Sequence, residues 1–134
     1  LILKNTNIHL DDQYFITGVK TDAGKSRIIP IHNDILPIIQ KYYNPQNYYF
    51  WNFNGSQRIY QTLRWRFDRL MKQLNIDHIP HDTRHTTATA MHNANLDIMY
   101  IKLILGHHIN DITQRVYIHS NPQILVNEIN KMKL

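Results

Sequence analysis

Residues 81–89 read His-Asp-Thr-Arg-His-Thr-Thr-Ala-Thr, a stretch with two histidines and one arginine within five positions. The three-residue spacing puts His81 and Arg84 on one face of a helix that begins here. An arginine fork beside a hydrogen-bonding imidazole suits a phosphate better than a neutral ligand. The small residues that follow are read as the body of this helix, which runs to about Asn93 with Asp82 as its N-cap. The stretch therefore predicts a phosphate site at the start of a helix.

The histidines also permit a metal site. His81 and His85 stand four residues apart, the spacing of helical zinc ligands, and His107 and His108 can supply a third ligand. The zinc protease pattern, however, places Glu after the first histidine, where this chain has Asp82. A structural role in a polar core, or at a helix end where the dipole favours imidazolium, is the better interpretation of any single histidine. We expect no metal, and His85 in the core or behind the site.

Composition sets broad limits. A length of 134 residues suffices for one domain with a real core, and 43% hydrophobic with 19% charged residues is typical of a globular protein. The net charge of +5 permits nucleic-acid binding without demanding it. The absence of cysteine excludes disulfides, thiolate metal sites and a cysteine nucleophile, and it fits a reducing compartment. No run is as long as a transmembrane span, and no signal-peptide pattern opens the chain.

The front of the chain has the alternation of a small sheet. We predict three antiparallel strands over residues 5–10, 13–19 and 27–31, with turns at residues 11–12 and 20–25. Lys20, Lys25 and Arg27 belong to the second turn and the strand after it. The simplest interpretation of these charges is an exposed hairpin and sheet edge. The apolar start without an initiator Met indicates that the chain begins inside an element of a longer protein.

Helices are predicted for the remainder. Asn33 is the expected N-cap of a helix to about Tyr43, and Ser56 that of a helix over 57–74 with an apolar stripe and several arginines. Asp97 should cap a short helix that Gly106 ends. Two more helices follow, one carrying Tyr117 and one over 122–131, whose apolar stripe has no obvious local partner.

Three short motifs occur in a characteristic order: His81-x-x-Arg84-His85-Thr86, then Leu105-Gly106-His107, then Thr113-x-x-Val116-Tyr117-x-His119. In order and spacing they resemble the catalytic domain of the tyrosine recombinases of the phage integrase type. Each motif alone is weak, whereas the combination is specific, and the resemblance extends over essentially the whole chain. The strand that contains Arg27 and the hairpin before it also resemble a hairpin of that family.

The resemblance implies a role for each matching side chain: Tyr117 as the nucleophile, Arg84 as the second of two catalytic arginines, His81 as the histidine of the same motif, His107 at the position of the third motif histidine or tryptophan, and Lys20 as the general acid on the hairpin, with Lys25 as the fallback. Arg27, Arg64 and Lys25 are expected to contact DNA. The family's first arginine, in an Arg-x-x-Glu-Leu pattern, has no match, because Arg27 and Arg64 lie in other elements. We therefore expect a fragment that begins after it.

The resemblance implies an α+β, mainly α fold, with a small three-stranded antiparallel sheet at the N-terminus followed by a helical bundle. It implies a single catalytic domain over residues 1–134 that lacks the family's DNA-encircling domain, binds double-stranded DNA, needs no cofactor and self-associates on DNA. A cytoplasmic location follows, in a prokaryotic cell or for a phage-encoded protein. Three alternatives stay open: a DNA-binding module that does not cleave, a type IB topoisomerase, and a metal-dependent hydrolase.

Overall fold

The computed structural model of the chain describes residues 3–18, 26–50, 52–53, 56–57, 60–107 and 121–133. A three-stranded antiparallel sheet stands at the front and helices follow it, which confirms the predicted α+β, mainly α class. The predicted turn that contains Lys20 and Lys25, and the predicted helix that contains Tyr117, lie outside the described residues.

The sheet is a meander of β1 (Ile8–His9), β2 (Tyr14–Thr17) and β3 (Arg27–Pro30). Neighbouring strands are antiparallel, and β2 and β3 pair from Tyr14 opposite Pro30 to Thr17 opposite Arg27. The predicted order is confirmed. Arg27 is thus the first paired residue of β3.

The helices and a second, two-stranded hairpin follow in chain order: α1 (Leu36–Tyr42), β4 (Asn52–Phe53), β5 (Ser56–Gln57), α2 (Tyr60–Gln73), α3 (Asp82–Asn93), α4 (Ile98–Leu105) and α5 (Gln123–Ile129). A 3-10 turn at Asn5–Asn7 precedes β1. In the described part of the chain, no helix has the length and apolar character needed to cross a bilayer.

The helix caps predicted at Asn33 and Ser56 are wrong. The chain turns at residues 33–35, and α1 begins only at Leu36, whose N–H bonds to the carbonyl of His32 at 3.0 Å. The N–H of Asn33 is instead bound by the side chain of Asn130. Ser56 pairs with Phe53 in the β4–β5 hairpin, and the Asn-Gly between those two residues is the strongest short hairpin signal in a sequence. Pairing of the strands thus overrides the capping preference of serine.

The core lies where β3, α3, α4 and α5 meet. Met91 of α3 and Leu125 of α5 are almost fully buried, and Ile28 of β3 packs in the same cluster. The apolar stripe of the last helix, which has no obvious local partner in the sequence, packs on β3 and α4 of the same chain. Because α5 is far from β3 along the chain, the sequence pattern could not reveal this contact.

The apolar stripe of α2 is not buried among the described residues. Leu63, Leu70 and Leu74 are 40%, 48% and 55% exposed. The helix is amphipathic, as predicted, yet in the described part of the chain it contributes nothing to the core around Met91.

One cap was predicted correctly and is open to test. The Asp97 carboxylate accepts the N–H of Met99 at 2.7 Å at the start of α4. Asp97→Ala leaves that N–H without its acceptor and should lower the free energy of unfolding by about 1 kcal/mol. Urea titration measures this, with Asp97→Asn as the control that keeps an acceptor. Equal losses in the two variants would show that the cap does not contribute.

Candidate functional site

The loop before α3 is fixed by Asp82, in a different way from the one predicted. Asp82 is the first residue of α3, and its carboxylate accepts the N–H of Ile79 at 2.9 Å and contacts Nδ1 of His78 at 3.3 Å. The N-cap position belongs to His81, whose side chain makes no capping bond. Asp82 therefore holds the preceding loop against the helix start instead of capping the helix.

The hydrogen bond from Ile79 lowers the pKa of the Asp82 carboxyl, and His78 and His85 lower it further. A lowered pKa means that the ionised carboxylate stabilises the fold above its unfolded pKa, and that this stabilisation is lost as pH falls through the folded pKa. Asp82→Asn keeps an acceptor for Ile79 and removes the charge. We expect a lower Tm than wild type above about pH 5 and the same Tm in stronger acid. Thermal unfolding across pH measures this, with Asp77→Asn in the same loop as control, and a pH-independent difference would contradict it.

The histidines beside Arg84 face solvent. Arg84 is half-buried in the first turn of α3, whereas His81 and His85 are exposed. Their rings meet edge to face with centroids 5.2 Å apart. His85 therefore does not lie in the core, and the alternative that it stands behind the site stays a prediction. Among the residues whose structure is described, no three His, Asp or Glu side chains converge on a point that could hold a metal ion.

His107 stands on a tightly built turn at the end of α4. Gly106 has the left-handed φ of 73° that ends the helix, as predicted. Its N–H bonds to the carbonyl of Leu103, and the N–H of His107 bonds to that of Lys102 at 2.9 Å. These are the two bonds of a Schellman motif, which fixes the backbone that leaves the helix. His107 itself is exposed.

The side chain of Arg27, from β3, contacts this turn. Its Nη1 donates to the carbonyl of Leu105 at 2.6 Å, across 78 residues of sequence. A Cβ added at Gly106 would stand 2.3 Å from the same nitrogen. Gly106 is thus required twice, for its backbone conformation and for the space that the guanidinium fills. Arg27 is half-buried, so the prediction of a charge on an exposed edge does not describe it.

Arg27 also lies close to Arg84. Burial lowers the pKa of the Arg27 guanidinium, and the charge of Arg84 lowers it further. The Nε of Arg27 is buried without a hydrogen-bond partner in the described structure. Neither arginine forms an ion pair with a described carboxylate. Two neighbouring cations without a counter-charge favour an anionic ligand.

The described residues therefore bring Arg84, Arg27 and the turn of His107 together, with His81 at the same helix start. Arg64 lies on α2, where its Nε donates to both carboxylate oxygens of Asp68 at 2.7 and 2.8 Å. The sequence predicts a DNA contact for Arg27 and gives no signal for its contact with the turn at Gly106. A guanidinium that meets a helix end 78 residues away leaves no periodic signal in the sequence.

The family model described as "Phage integrase family" matches residues 1–123. This match covers most of the chain, and the chain belongs to the phage integrase family. A tyrosine recombinase from Agathobacter rectalis is 34% identical across 91% of the chain, and one from Thermosipho africanus is 29% identical across 94%. The chain spans 45% and 47% of the length of these curated relatives.

A solved structure shares the fold. The integrase from mycobacterium phage Brujita aligns over 98% of this chain and 45% of its own chain, with a TM-score of 0.76 and 14% sequence identity. At that identity the similarity concerns the fold alone. The predicted resemblance to the tyrosine recombinases is confirmed at the level of family and fold.

Proposed function

We propose that the chain is the catalytic domain of a site-specific DNA recombinase that cleaves and rejoins strands through a 3′-phosphotyrosyl intermediate. One observation carries this proposal beyond family membership. Arg84 is half-buried and near enough to Arg27 for its charge to lower the pKa of the Arg27 guanidinium, and no described carboxylate forms an ion pair with either arginine. A phosphodiester placed there would supply the missing negative charge and accept a bidentate bond from a guanidinium.

The proposed reaction keeps the number of phosphoester bonds constant. The oxygen of Tyr117 attacks the phosphorus, the bond from phosphorus to the 5′ oxygen breaks, and a 3′-phosphotyrosyl link and a free 5′-hydroxyl result. The 5′-hydroxyl of another strand then attacks the link and releases Tyr117. One phosphoester is exchanged for another in each step, so ATP is not consumed and no cofactor takes part.

The other predicted residues stabilise the developing charge and transfer the protons. Arg84 and His107 hold the non-bridging oxygens as negative charge develops. His81 accepts the proton of Tyr117, whose unperturbed pKa of about 10 calls for such assistance near neutral pH. Lys20 protonates the departing 5′ oxygen, with Lys25 as the alternative donor.

Double-stranded DNA is the proposed partner. Arg64 remains available to it, because an exposed ion pair four residues apart on a helix contributes only about 0.3–0.5 kcal/mol and is readily exchanged for a phosphate. Lys25 is a second proposed DNA contact. Residues 1–134 act as one catalytic domain, the complete protein self-associates on DNA, and it works in the cytoplasm of a prokaryotic cell as a cellular or phage-encoded enzyme.

A nicked suicide DNA substrate tests the proposal, because loss of the short released strand traps the covalent adduct. We expect an adduct that withstands denaturation, persists in EDTA and maps by peptide mass spectrometry to the segment containing Tyr117. The assay is run on residues 1–134 and on the full-length product of the gene that encodes them. An adduct with only the longer protein would assign the isolated chain the non-cleaving DNA-binding role. No adduct with either protein would refute the proposal.

A further inference from the structure

Among the described residues, Arg27 supplies the hydrogen bond to the last carbonyl of α4. The Schellman motif satisfies the carbonyls of Lys102 and Leu103 and leaves that of Leu105, the last residue of the helix, outside its two bonds. Nη1 of Arg27 donates to this carbonyl at 2.6 Å. A cation at a helix C-terminus is also favoured by the helix dipole. The turn that presents His107 is therefore held from two sides, by its own backbone bonds and by a side chain of the sheet.

We propose that Arg27 is a positioning residue for the strand-transfer site, which sets His107 against Arg84 by binding the Leu105 carbonyl and filling the space above Gly106. This rests on the function proposed above. Arg27 touches no reacting atom in this role. It acts through the backbone of the turn, and the DNA contact predicted for it from sequence is replaced by a contact inside the protein.

The position of Arg27 in the sheet extends this role. Arg27 pairs with Thr17 as the first residue pair of β3, and Lys20 and Lys25 precede it in sequence. One side chain therefore connects the start of β3, the turn of His107 and the neighbourhood of Arg84. A shift of about 1 Å between such groups can cost about 100-fold in rate.

The alternative is that Arg27 binds a DNA phosphate, and the two roles predict different measurements. A phosphate ligand contributes to DNA affinity and its salt dependence, so its loss weakens binding, reduces the salt slope by about 1 and is compensated by saturating DNA. A positioning residue contributes to the reaction after binding. Its loss lowers the single-turnover cleavage rate even at saturating DNA and leaves the affinity and the salt slope unchanged.

The experiment compares Arg27→Met and Arg27→Lys with wild type in the natural protein that carries the chain, using the suicide substrate for rates and a fluorescent duplex for affinity. We expect Arg27→Met to cleave about 10- to 100-fold more slowly at saturating DNA, with unchanged affinity. Arg27→Lys should recover most of the rate, because an ammonium can still donate to the Leu105 carbonyl. Arg69→Met is the matched control, since it removes an exposed cation that stacks on Trp65 of α2.

A double-mutant cycle connects the effect to Gly106. Gly106→Ala places a Cβ where Nη1 of Arg27 lies and should slow cleavage in the wild-type background. In the Arg27→Met background the same change meets no guanidinium, while the backbone strain at φ 73° stays the same. The effects of the two changes should therefore be less than additive. Additive effects would contradict a shared action on the turn, and a rate loss in Arg27→Met that saturating DNA removes would overturn the positioning role.

Hydrogen exchange on the chain itself separates this inference from the proposed function. Arg27→Met should speed exchange of the Gly106 and His107 amides by about 10-fold or more, the change expected on losing a charge-assisted hydrogen bond. The amide of Met99, at the other end of α4, should keep its rate. Wild-type protein that forms no adduct would refute the recombinase function while this exchange result still decides whether Arg27 holds the turn. Equal exchange in variant and wild type would refute the inference, whatever the outcome of cleavage.

Discussion

Tyr117→Phe should abolish the covalent protein–DNA adduct completely, because phenylalanine offers no oxygen to attack the phosphorus. DNA affinity should be unchanged, since the phenol hydroxyl acts in the reaction and the ring is kept. The measurement is adduct formation on the suicide substrate, quantified after denaturation, together with binding to an intact duplex.

Tyr42→Phe is the matched control for this change. Tyr42 is exposed on α1, 58% accessible, and loses the same hydroxyl far from the motif residues in sequence. Its adduct yield should equal that of wild type. An adduct that persists in Tyr117→Phe would assign the nucleophile to another residue and disprove the mechanism as written.

Arg84→Ala should lower the single-turnover cleavage rate by about 10²–10³-fold, the typical result of removing one preorganised donor to a developing oxyanion. Arg84→Lys should recover only part of this, because an ammonium keeps the charge and loses the planar, bidentate fork. Rates at saturating DNA measure the effect, with Arg69→Ala as the control for loss of an exposed cation. A reduction confined to DNA affinity would make Arg84 a binding residue only.

Arg84→Ala should lower the cleavage rate without lowering the free energy of unfolding. Arg84 lies near enough to Arg27 to lower the pKa of its guanidinium, so removal of the charge at residue 84 relieves a like-charge repulsion. Arg84→Ala should therefore unfold at a urea concentration no lower than wild type. A loss of rate without a loss of stability is the behaviour expected where a charge is kept for function and not for the fold. A large loss of stability would mean that Arg84 is mainly a structural residue.

Much of the local structure around the candidate site could be predicted from the sequence, because helix ends and strands have local signals. Gly106 after an apolar run predicts the end of a helix, and Asp97 ahead of one predicts its start; both are confirmed. The alternation in the first thirty residues predicts the meander. The predicted roles of Tyr117 and Lys20, by contrast, rest on family resemblance and stay predictions.

The failures share a physical cause, which is competition between a local preference and a partner that the sequence does not show. Asn33 and Ser56 can both cap a helix, but the N–H of Asn33 meets Asn130 and Ser56 pairs with Phe53. The Asp82 carboxylate likewise accepts the N–H of Ile79 instead of capping α3. In each case the sequence shows that the side chain can accept a backbone hydrogen bond, but it does not show which group the residue meets in the fold.

The sequence by itself determined the family, the order of the elements and the residue types available for phosphoryl chemistry. These follow from motif spacing and periodicity, which are properties of near neighbours in the chain. Only the tertiary structure decided that α5 completes the core and that Arg27 closes the turn before His107. Both contacts join segments far apart in sequence, and they form because a buried apolar stripe and an unpaired carbonyl each require a partner. The stretch from His81 to Thr89 predicts the chemistry, and the contact between Arg27 and the Leu105 carbonyl joins the sheet to the turn before His107.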